Sequence, residues 1–446
     1  MIRVFIANRG EIALRAVRVC RALGLETVAG YTPPDAALPH VWAADHAVCI
    51  GPASAALSYL NGPGLITAAR ATGCDAIYPG YGFLSENAEF AEQCRSAGLT
   101  FIGPPPEIIA LMGDKAQARR TAASLGMAIV PGSEHGFVTV EEALAAAEQI
   151  GFPILLKASA GGGGRGMRIA EDIASFATCF MQASAEAKAA FGNAEIYLER
   201  FFRQVRHVEV QIFADRHGHV VHLGERDCSV QRRHQKLIEE APSPILPAAR
   251  RHEITQAAEA LARGVGYEGA GTVEFIYDPA TDRAYFIEMN TRIQVEHPVT
   301  EMLTGTDLVA EQFRVAAGAP LLISQPGEPH GVAIEFRINA EDADDGFRPA
   351  PGPISAWKPP RGAGIRVDSH VYPGWHVSPY YDSLLGKLII HRPTRAEAIA
   401  ASQQAIARFD VRGVPTTLPF HAKLLTTEAF RTAAIHTRWI EQERSP

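Results

Sequence analysis

Two glutamates and an asparagine near the middle of the chain have the chemistry of a divalent-metal site. Glu274 and Glu288 lie in two apolar runs joined by residues 278–283, which are rich in turn formers. In an antiparallel hairpin the two carboxylates lie nearly opposite each other, which is unfavourable unless a cation neutralises them. Asn290 follows on the same strand face and adds a third oxygen. The pattern favours Mg²⁺, with Mn²⁺ as a substitute, bridging nucleotide phosphates; a solvated edge with two unrelated carboxylates is the alternative.

Polar residues alternate immediately after this hairpin. Arg292, Gln294 and Glu296 share one face if the chain stays extended. A cation, an amide and a carboxylate beside a metal could hold a small planar anion and remove its proton. A surface salt-bridge cluster is equally consistent with these three residues alone.

A run of charged residues at 231–240, which includes Lys236, precedes the hairpin. Its composition alone indicates a solvated loop. It lies between strands that lead to the metal hairpin, however, and an anionic substrate requires cations there. We therefore expect Lys236 to belong to the same site.

Glycines dominate residues 161–166, between extended runs at 154–157 and 167–170. No Lys-Ser or Lys-Thr pair opens a helix after them, so the segment is not a P-loop. We expect a hairpin whose free backbone N–H groups fold over a polyphosphate, framed by Lys157 and Arg165. A flexible linker is the alternative.

The composition is that of an ordinary globular protein. The chain has 446 residues, 47% of them apolar and 20% charged, which suggests about three domains. Its net charge of −7 argues against nonspecific nucleic-acid binding, and no apolar run is long enough to suggest a membrane span. The N-terminal sequence lacks a signal-peptide pattern, and the six cysteines form no Cys-x-x-Cys pair, so we expect reduced thiols in the cytoplasm.

Hydrophobic periodicity predicts an α/β and α+β multidomain protein. Residues 1–115 alternate short strands with helices, as in a doubly wound parallel sheet, and the loops at 8–11 and 79–87 should meet at its carboxyl edge. Residues 116–330 contain two helices, the glycine hairpin, mixed, largely antiparallel strands and one long helix around 250–264. Residues 331–446 are strand-rich, with helices at 395–408 and 417–426.

Several motifs together resemble biotin carboxylase, a family of ATP-grasp enzymes. They are ANRGEIA at 7–13, YPGYGFLSEN at 78–87, MGDK at 112–115, the glycine loop, ERDCS at 225–229, EAP at 240–242, EMNTRIQVEHP at 288–298 and PYYDS at 379–383. The resemblance spans almost the whole chain, and the 288–298 motif is highly specific. It implies an N-terminal domain at 1–115, an ATP-grasp domain at 116–330 with a mobile lid at about 131–203, and a C-terminal domain at 331–446.

The resemblance also implies an activity and a role for each site residue. ATP would phosphorylate bicarbonate to carboxyphosphate, and the carboxyl group would pass to the ureido nitrogen of biotin. The nucleotide would contact Lys115, Lys157, Gly163, Gly164, Glu199, His207, Gln231, His234 and Ile276, and magnesium would bind Glu274, Glu288 and Asn290. Bicarbonate would bind Lys236, Arg292, Gln294 and the Val295 backbone, with Glu296 as its base. Arg337 would stabilise charge on the biotin ureido oxygen, and Tyr81 would line the biotin site.

The expected partners are a biotin carboxyl carrier protein and a carboxyltransferase on other chains. None of the seven methionines is followed by the lysine that a biotinylation site requires, and little sequence follows the C-terminal region. We therefore expect a stand-alone subunit for the first half-reaction of acetyl-CoA carboxylase, in fatty acid biosynthesis, or of a related carboxylase. The family suggests a homodimer, and no nucleic-acid or membrane partner is expected.

Three other functions were weighed against this one. An ATP-grasp ligase or carbamoyl-phosphate-type enzyme would activate a different carboxylate, and the cluster at 292–296 combined with Arg337 disfavours it. A catalytically silent ATP-binding subunit is disfavoured because acid, base and metal positions are all present. A nicotinamide-dependent dehydrogenase lacks its glycine fingerprint.

Overall fold

The N-terminal part of the chain is an α/β unit built on a parallel sheet. The computed structural model describes residues 1–158, 167–191, 193–323 and 330–443. The first elements are β1 (Arg3–Ile6), α1 (Gly10–Ala22), β2 (Glu26–Tyr31), α2 (Pro39–Ala43), β3 (His46–Cys49), α3 (Gly62–Ala71), β4 (Ala76–Tyr78), α4 (Ala88–Ser96), β5 (Thr100–Phe101) and α5 (Pro106–Gly113). All strand pairs are parallel, in the order β3-β2-β1-β4-β5, which confirms the doubly wound sheet.

The loops after β1 and β4 meet where the strand order reverses, as expected at a switch point. Asn8 Nδ2 donates hydrogen bonds to the carbonyl oxygens of Pro79 at 2.6 Å and Tyr81 at 2.7 Å. Gly10, the first residue of α1, has φ +69°, and a Cβ there would lie 3.4 Å from the His370 ring. A glycine therefore lets α1 begin close to the C-terminal part of the chain.

A small antiparallel sheet follows. The middle elements are α6 (Lys115–Ser124), α7 (Val140–Ile150), β6 (Ile154–Ala158), β7 (Arg168–Ala170), α8 (Ile173–Phe191), β8 (Ile196–Arg200), β9 (Arg206–Ala214), β10 (Val220–Arg232), β11 (Gln235–Ala241), α9 (Ala248–Gly264), β12 (Gly269–Asp278), β13 (Arg283–Asn290), α10 (His297–Thr304) and α11 (Leu308–Ala316). Strands β7, β6 and β8 form the small sheet, and the predicted antiparallel pairing of β6 with β7 is confirmed. The glycine segment between them, with Gly163 and Gly164, lies outside the described residues.

An eight-stranded antiparallel sheet is the centre of the molecule. The C-terminal elements are β14 (Val332–Asn339), β15 (Glu341–Asp342), β16 (Arg348–Pro349), β17 (Gly352–Pro353), β18 (Ala356–Lys358), β19 (Ile365–Ser369), β20 (His376–Val377), β21 (Leu384–Arg392), α12 (Arg395–Arg408), β22 (Asp410–Arg412), α13 (Leu418–Leu424), α14 (Glu428–Arg431) and α15 (Trp439–Glu443). The strand order is β13-β12-β9-β10-β11-β14-β21-β19. The sheet therefore continues across the predicted boundary between residues 330 and 331.

Strict alternation of side chains gives this sheet one apolar and one polar face. On β9, Val208, Val210 and Ile212 enter a core with α9, whereas Glu209 and Gln211 face the opposite side. Of the described helices, none has the length and apolar character of a membrane span. All six cysteines are free thiols and four of them are buried, as expected.

Two β-bulges aim charged side chains into the polar face. Glu274 pairs with Glu288 but Phe275 pairs with Phe286, so Ile287 is an extra residue on β13. Without this bulge Glu274 would lie opposite Ile287. On β11 the partners change from Ile238 to Lys236 across a single step of β10, so one residue is likewise extra there.

The charged run at 231–240 is not a solvated loop. It is a hairpin between β10 and β11, in which Gln231 pairs with Lys236. The two turn residues, Arg233 and His234, have φ +48° and +68°, the left-handed values that a tight type I′ turn requires. Composition alone misses this hairpin because the strand character comes from pairing with the rest of the sheet.

Candidate active site

A row of four charged side chains crosses the large sheet. Glu288 on β13 lies opposite Glu274 on β12, as predicted, and Glu274 lies opposite Glu209 on β9. Glu209 in turn lies opposite Arg226 on β10, whose Nε donates to it at 2.6 Å. Three neighbouring carboxylates repel one another, so cations must hold the row in place.

Lys236 is in contact with most of these carboxylates and helps to neutralise them. Its Nζ donates to Glu209 at 2.6 Å, Glu274 at 3.0 Å and Glu296 at 2.8 Å. Burial alone lowers the pKa of Lys236, but the three carboxylates outweigh burial and raise the pKa well above its usual value. Burial alone raises the pKa of Glu296, but Lys236 and Arg337 hold it well below its usual value. The site therefore contains an ammonium group and an ionised carboxylate in direct contact.

The side chains after β13 meet in the site, but the backbone that carries them has a different conformation from the predicted one. The expectation of an extended face shared by Arg292, Gln294 and Glu296 is wrong, because Glu296 has φ −81° and ψ 8° and caps α10. The chain must turn here to enter a helix whose first turn contains Pro298. The side chains nevertheless meet: Arg292 Nη1 donates to Gln294 Oε1 at 2.8 Å, and Gln294 Nε2 donates to Glu274 Oε1 at 3.4 Å.

Arg337 reaches this cluster from β14. Its Nε donates to Glu239 Oε1 at 2.6 Å and its Nη2 donates to Glu296 Oε2 at 2.9 Å. Glu239 lies on the neighbouring strand β11 and is fully buried. The two contacts fix the plane of the guanidinium beside the Glu296 carboxylate.

Tyr81 connects to the same cluster through two residues that the sequence analysis missed. Its hydroxyl donates to Glu11, and Glu11 forms an ion pair with the fully buried Lys387 at 2.9 Å. Lys387 Nζ also donates to the carbonyl oxygen of Val295 at 2.8 Å. A carbonyl oxygen only accepts hydrogen bonds, so the Val295 backbone can donate to an anion through its N–H group alone.

The predicted phosphate-binding lysines lie at the rim of the site. Lys115 is the first residue of α6, and its side chain is 80% exposed and 3.3 Å from Glu288. Lys157 on β6 is paired with Glu199 on β8, which Arg119 also contacts at 3.2 Å. Within the part of the chain that the structure describes, each lysine thus has a single carboxylate partner.

Of the other nucleotide candidates, His207 and Ile276 lie close to the carboxylate row. His207 Nε2 is 3.0 Å from Glu274 Oε2, and Ile276 pairs with His207 across the strands. Burial alone lowers the pKa of His207, but Glu274 outweighs burial and raises it. Gln231 is buried at the end of β10, whereas His234 is exposed at the tip of the hairpin.

Several charged residues of the site were not identified from the sequence. They are Glu11, Glu209, Arg226, Glu239 and Lys387. The alternation of His207, Glu209 and Gln211 with apolar residues was a usable signal, because a polar face on a long strand must point toward solvent or a site. For Lys387, the signal is a lysine within the apolar strand Leu384–Arg392, because a lysine that is buried with such a strand requires a charged partner.

Glu274, Glu288 and Asn290 together fit a hard divalent cation. Burial alone raises the pKa of Glu274, but Lys236 outweighs burial and keeps the pKa well below its usual value, so this carboxylate is ionised. Asn290 Nδ2 donates to Glu274 at 2.9 Å, and its Oδ1 accepts from Arg292 at 3.1 Å with a second lone pair to spare. Oxygen donors of this kind are the ligands of Mg²⁺.

Comparison with known proteins identifies the family. The model for the biotin carboxylase N-terminal domain matches residues 1–109, that for the carbamoyl-phosphate synthase L chain ATP-binding domain matches 114–324, and that for the biotin carboxylase C-terminal domain matches 335–442. Biotin carboxylase 1 of Bacillus subtilis is 51% identical over 440 residues, which are 98% of each chain. This chain belongs to the biotin carboxylase family. The chloroplastic biotin carboxylase of Arabidopsis thaliana is also 51% identical, over 98% of this chain and 82% of that protein.

Solved structures agree with this assignment. The biotin carboxylase domain dimer of Hydrogenobacter thermophilus 2-oxoglutarate carboxylase, in complex with MgADP, ADP and bicarbonate, has a TM-score of 0.90 and 44% identity, covering 99% of this chain and 97% of that one. A biotin carboxylase from Campylobacter jejuni, in a complex with an ATP analogue, has a TM-score of 0.90 and 42% identity, covering 99% of this chain and 98% of that chain. The chain is thus an ATP-dependent enzyme of the biotin carboxylase type. Neither comparison supports a ligase for a different carboxylate.

Proposed function

We propose that this chain carboxylates biotin held by a separate carrier protein, with Glu296 as the base that deprotonates bicarbonate. One observation carries the proposal. The fully buried Glu296 carboxylate lies between two cations, Lys236 at 2.8 Å and Arg337 at 2.9 Å. A base in this position is ionised before the substrate arrives and lies beside groups that attract an anion.

Bicarbonate binds, in this proposal, to Lys236, Arg292, Gln294 and the N–H group of Val295. A bound anion shares the hydrogen bonds of Lys236, so less of the lysine's charge stabilises the Glu296 carboxylate. The pKa of Glu296 then rises toward a value useful for a base. The proton moves from the bicarbonate hydroxyl to the Glu296 carboxylate, and the bicarbonate oxygens become nucleophilic toward the terminal phosphate of ATP.

The nucleotide binds along the rim, with its phosphates near Lys115 and Lys157. A polyphosphate can take the place of Glu288 and Glu199 as partner of these lysines because both ion pairs are accessible. Gly163 and Gly164 are proposed to cover the phosphates, and Glu199, His207, Gln231, His234 and Ile276 to surround the nucleoside. When bound to Glu274, Glu288 and Asn290, Mg²⁺ neutralises phosphate charge during transfer.

Biotin approaches the side of the site formed by Arg337 and Tyr81. The Arg337 guanidinium is held by Glu239 and Glu296 on one edge, so its orientation is set before biotin binds. A fixed guanidinium stabilises the negative charge that develops on the ureido oxygen as the ring nitrogen loses its proton to the departing phosphate and becomes nucleophilic toward the carboxyl group. Tyr81 limits the space beside the Arg337 guanidinium.

We also propose the wider setting of the enzyme. Its proposed partners are a biotin carboxyl carrier protein and a carboxyltransferase on other chains, and the dimeric 2-oxoglutarate carboxylase domain supports a homodimer. Free thiols are compatible with the cytoplasm. Residues 1–115, 116–330 and 331–446 are the proposed domains, the last two sharing the large sheet.

ADP release by the purified chain with magnesium, ATP and bicarbonate, with and without free biotin, tests the proposed function. We expect a biotin-dependent increase that disappears without bicarbonate. If free biotin has no effect, a biotinylated carrier protein must produce the increase. No increase with either form of biotin, while ATP still binds, would contradict the proposal.

A further inference from the structure

Two glutamates face each other beneath Arg337. Glu239 on β11 and Glu335 on β14 are directly opposite in the antiparallel register, so their side chains lie on the same sheet face. Both residues are fully buried. Two ionised carboxylates in this arrangement repel each other strongly, because both are buried in a region of low dielectric constant.

Hydrogen bonding in the pair is incomplete. Oε1 of Glu239 accepts from Arg337 at 2.6 Å. Among the described residues, Oε2 of Glu239 and both oxygens of Glu335 have no hydrogen-bond partner. Buried acceptors without a donor are costly, and one proton shared between the carboxyl groups would satisfy two of these three oxygens.

The surrounding charges also leave room for a proton. Arg337, the cation paired with Glu239, is shared with Glu296, and among the described residues no cation forms an ion pair with Glu335. A divalent cation at Glu274 acts at the far end of the cluster and does not pair with Glu335.

The charged and titratable groups around the pair come from several adjoining elements. They are Cys228 on β10, Lys236 on β11, Glu296 at the start of α10, Arg337 on β14 and Lys387 on β21. Burial raises the pKa of Glu239 to about 7 in spite of Arg337, and burial together with Glu239 raises the pKa of Glu335 well above its usual value in spite of Lys387. Both raised pKa values agree with two buried carboxyl groups that lie opposite each other.

We propose that Glu239 and Glu335 hold one proton between them and that this acid–carboxylate pair positions Arg337 while leaving its charge available to the substrate. The consequence for turnover rests on the proposed function of Arg337. With both glutamates ionised, Glu239 and Glu296 would neutralise the guanidinium. With the shared proton in place, Glu296 is its main counter-ion.

The shared proton stays in place during the reaction. When Glu296 accepts the proton of bicarbonate, the single negative charge shared by Glu239 and Glu335 is the remaining counter-ion of Arg337, where two ionised glutamates would place two charges. The guanidinium then attracts the negative charge developing on the ureido oxygen most strongly. Glu239 and Glu335 are therefore positioning residues, acting through Arg337.

Infrared difference spectroscopy on the full chain tests the shared proton directly. We expect wild type minus Glu335→Gln at pH 7 to show the carbonyl band of a protonated carboxylic acid. Glu239→Gln serves as a second variant if Glu335→Gln does not fold, and it should remove the same band. If neither variant removes such a band, the shared proton is wrong.

Thermal stability gives an independent measurement. A carboxyl group whose pKa is raised on folding stabilises the protein at low pH and loses that contribution as pH rises through the folded value. The Tm of Glu335→Gln relative to wild type should therefore increase between pH 6 and pH 9. Glu225→Gln is the matched control, since Glu225 on β10 is also buried but is paired with Arg251 at 2.6 Å. It should lower Tm without that trend, and Glu335→Gln behaving like this control would overturn the proposal.

The pH dependence of kcat tests the link to Arg337. Wild-type kcat should fall at alkaline pH as the pair loses its proton, and Glu335→Gln should shift that decline to higher pH. An unchanged profile together with the infrared band would overturn the positioning function but leave the shared proton standing. Absence of biotin-dependent turnover in wild type would instead contradict the proposed function, which the infrared and Tm measurements do not use.

Discussion

The cations on the large sheet and those at its rim are held in opposite ways. Lys236 has a side chain only 12% exposed and contacts three carboxylates, whereas Lys115 is 80% exposed and contacts one. Buried charges with several partners keep their positions, and exposed pairs contribute little and exchange partners readily. The groups proposed to act on bicarbonate are therefore preorganised, while those proposed to bind the nucleotide change their partners when the nucleotide binds.

Replacing the base, Glu296, should reduce activity more than any other substitution proposed here. Glu296→Gln keeps the shape of the side chain but cannot accept the bicarbonate proton, so we expect kcat to fall by about 10²–10⁴-fold. Steady-state ADP release measures this loss. ATP affinity should stay at the wild-type value because Lys115 and Lys157 are untouched, and a variant with weakened ATP binding and normal kcat would reverse the assignment.

The second largest effect is expected at Arg337. Arg337→Lys cannot maintain hydrogen bonds to both Glu239 and Glu296, so kcat/KM for biotin should fall by roughly 10²-fold. The KM for ATP should change little. Measuring both parameters separates the proposed biotin function from a general loss of structure, which would alter both.

At the rim the effect should be smaller and confined to the nucleotide. Lys115→Ala removes one cation near the phosphates, and we expect the KM for ATP to rise by about tenfold with an unchanged Tm. Lys358→Ala is the matched control, because Lys358 is also exposed and forms one ion pair, with Asp410 at 3.4 Å. Equal KM values for the two variants would contradict the assignment of Lys115.

The smallest expected effect concerns the support of β14. His421 Nε2 bonds the carbonyl oxygen of Arg337 at 2.8 Å, and burial lowers the pKa of His421 to about 4. The unfolded chain binds this proton more readily, so stability should fall as pH drops from 6.5 through 4, by at most about 3 kcal/mol.

Urea unfolding at several pH values measures this contribution. His421→Gln should reduce the pH dependence in that window, whereas the exposed His46 provides a control, His46→Gln, that should behave as wild type. A His421→Gln curve parallel to the wild-type curve would show that the histidine does not titrate in this way.

Local patterns predicted the parts of the site that depend on neighbouring residues in sequence. The turn after Asp278 predicts that Glu274 lies nearly opposite Glu288, and the bulge at Ile287 places the two residues directly opposite each other. The pairings β12 with β9 and β11 with β14 join distant segments, and no local pattern specifies them. Glu209 and Glu239 were missed for that reason.

The predicted domains show the same difference between pairings that are local in sequence and pairings that join distant segments. Parallel strands separated by helices identified the N-terminal unit correctly, because each βαβ connection is local. The large sheet crosses the predicted boundary at 331, since β14 pairs with β11 across about a hundred residues. The extended face predicted for 292–296 was wrong because the following helix determines where the chain must turn.

The transfer of labelled carboxyl groups from bicarbonate to biotin, compared between wild type and Glu296→Gln, tests the central claim most directly. The account predicts ATP-dependent formation of labelled carboxybiotin by wild type and its loss in the variant, with ATP binding retained in both. Labelled carboxybiotin formed at the wild-type rate by Glu296→Gln would contradict it.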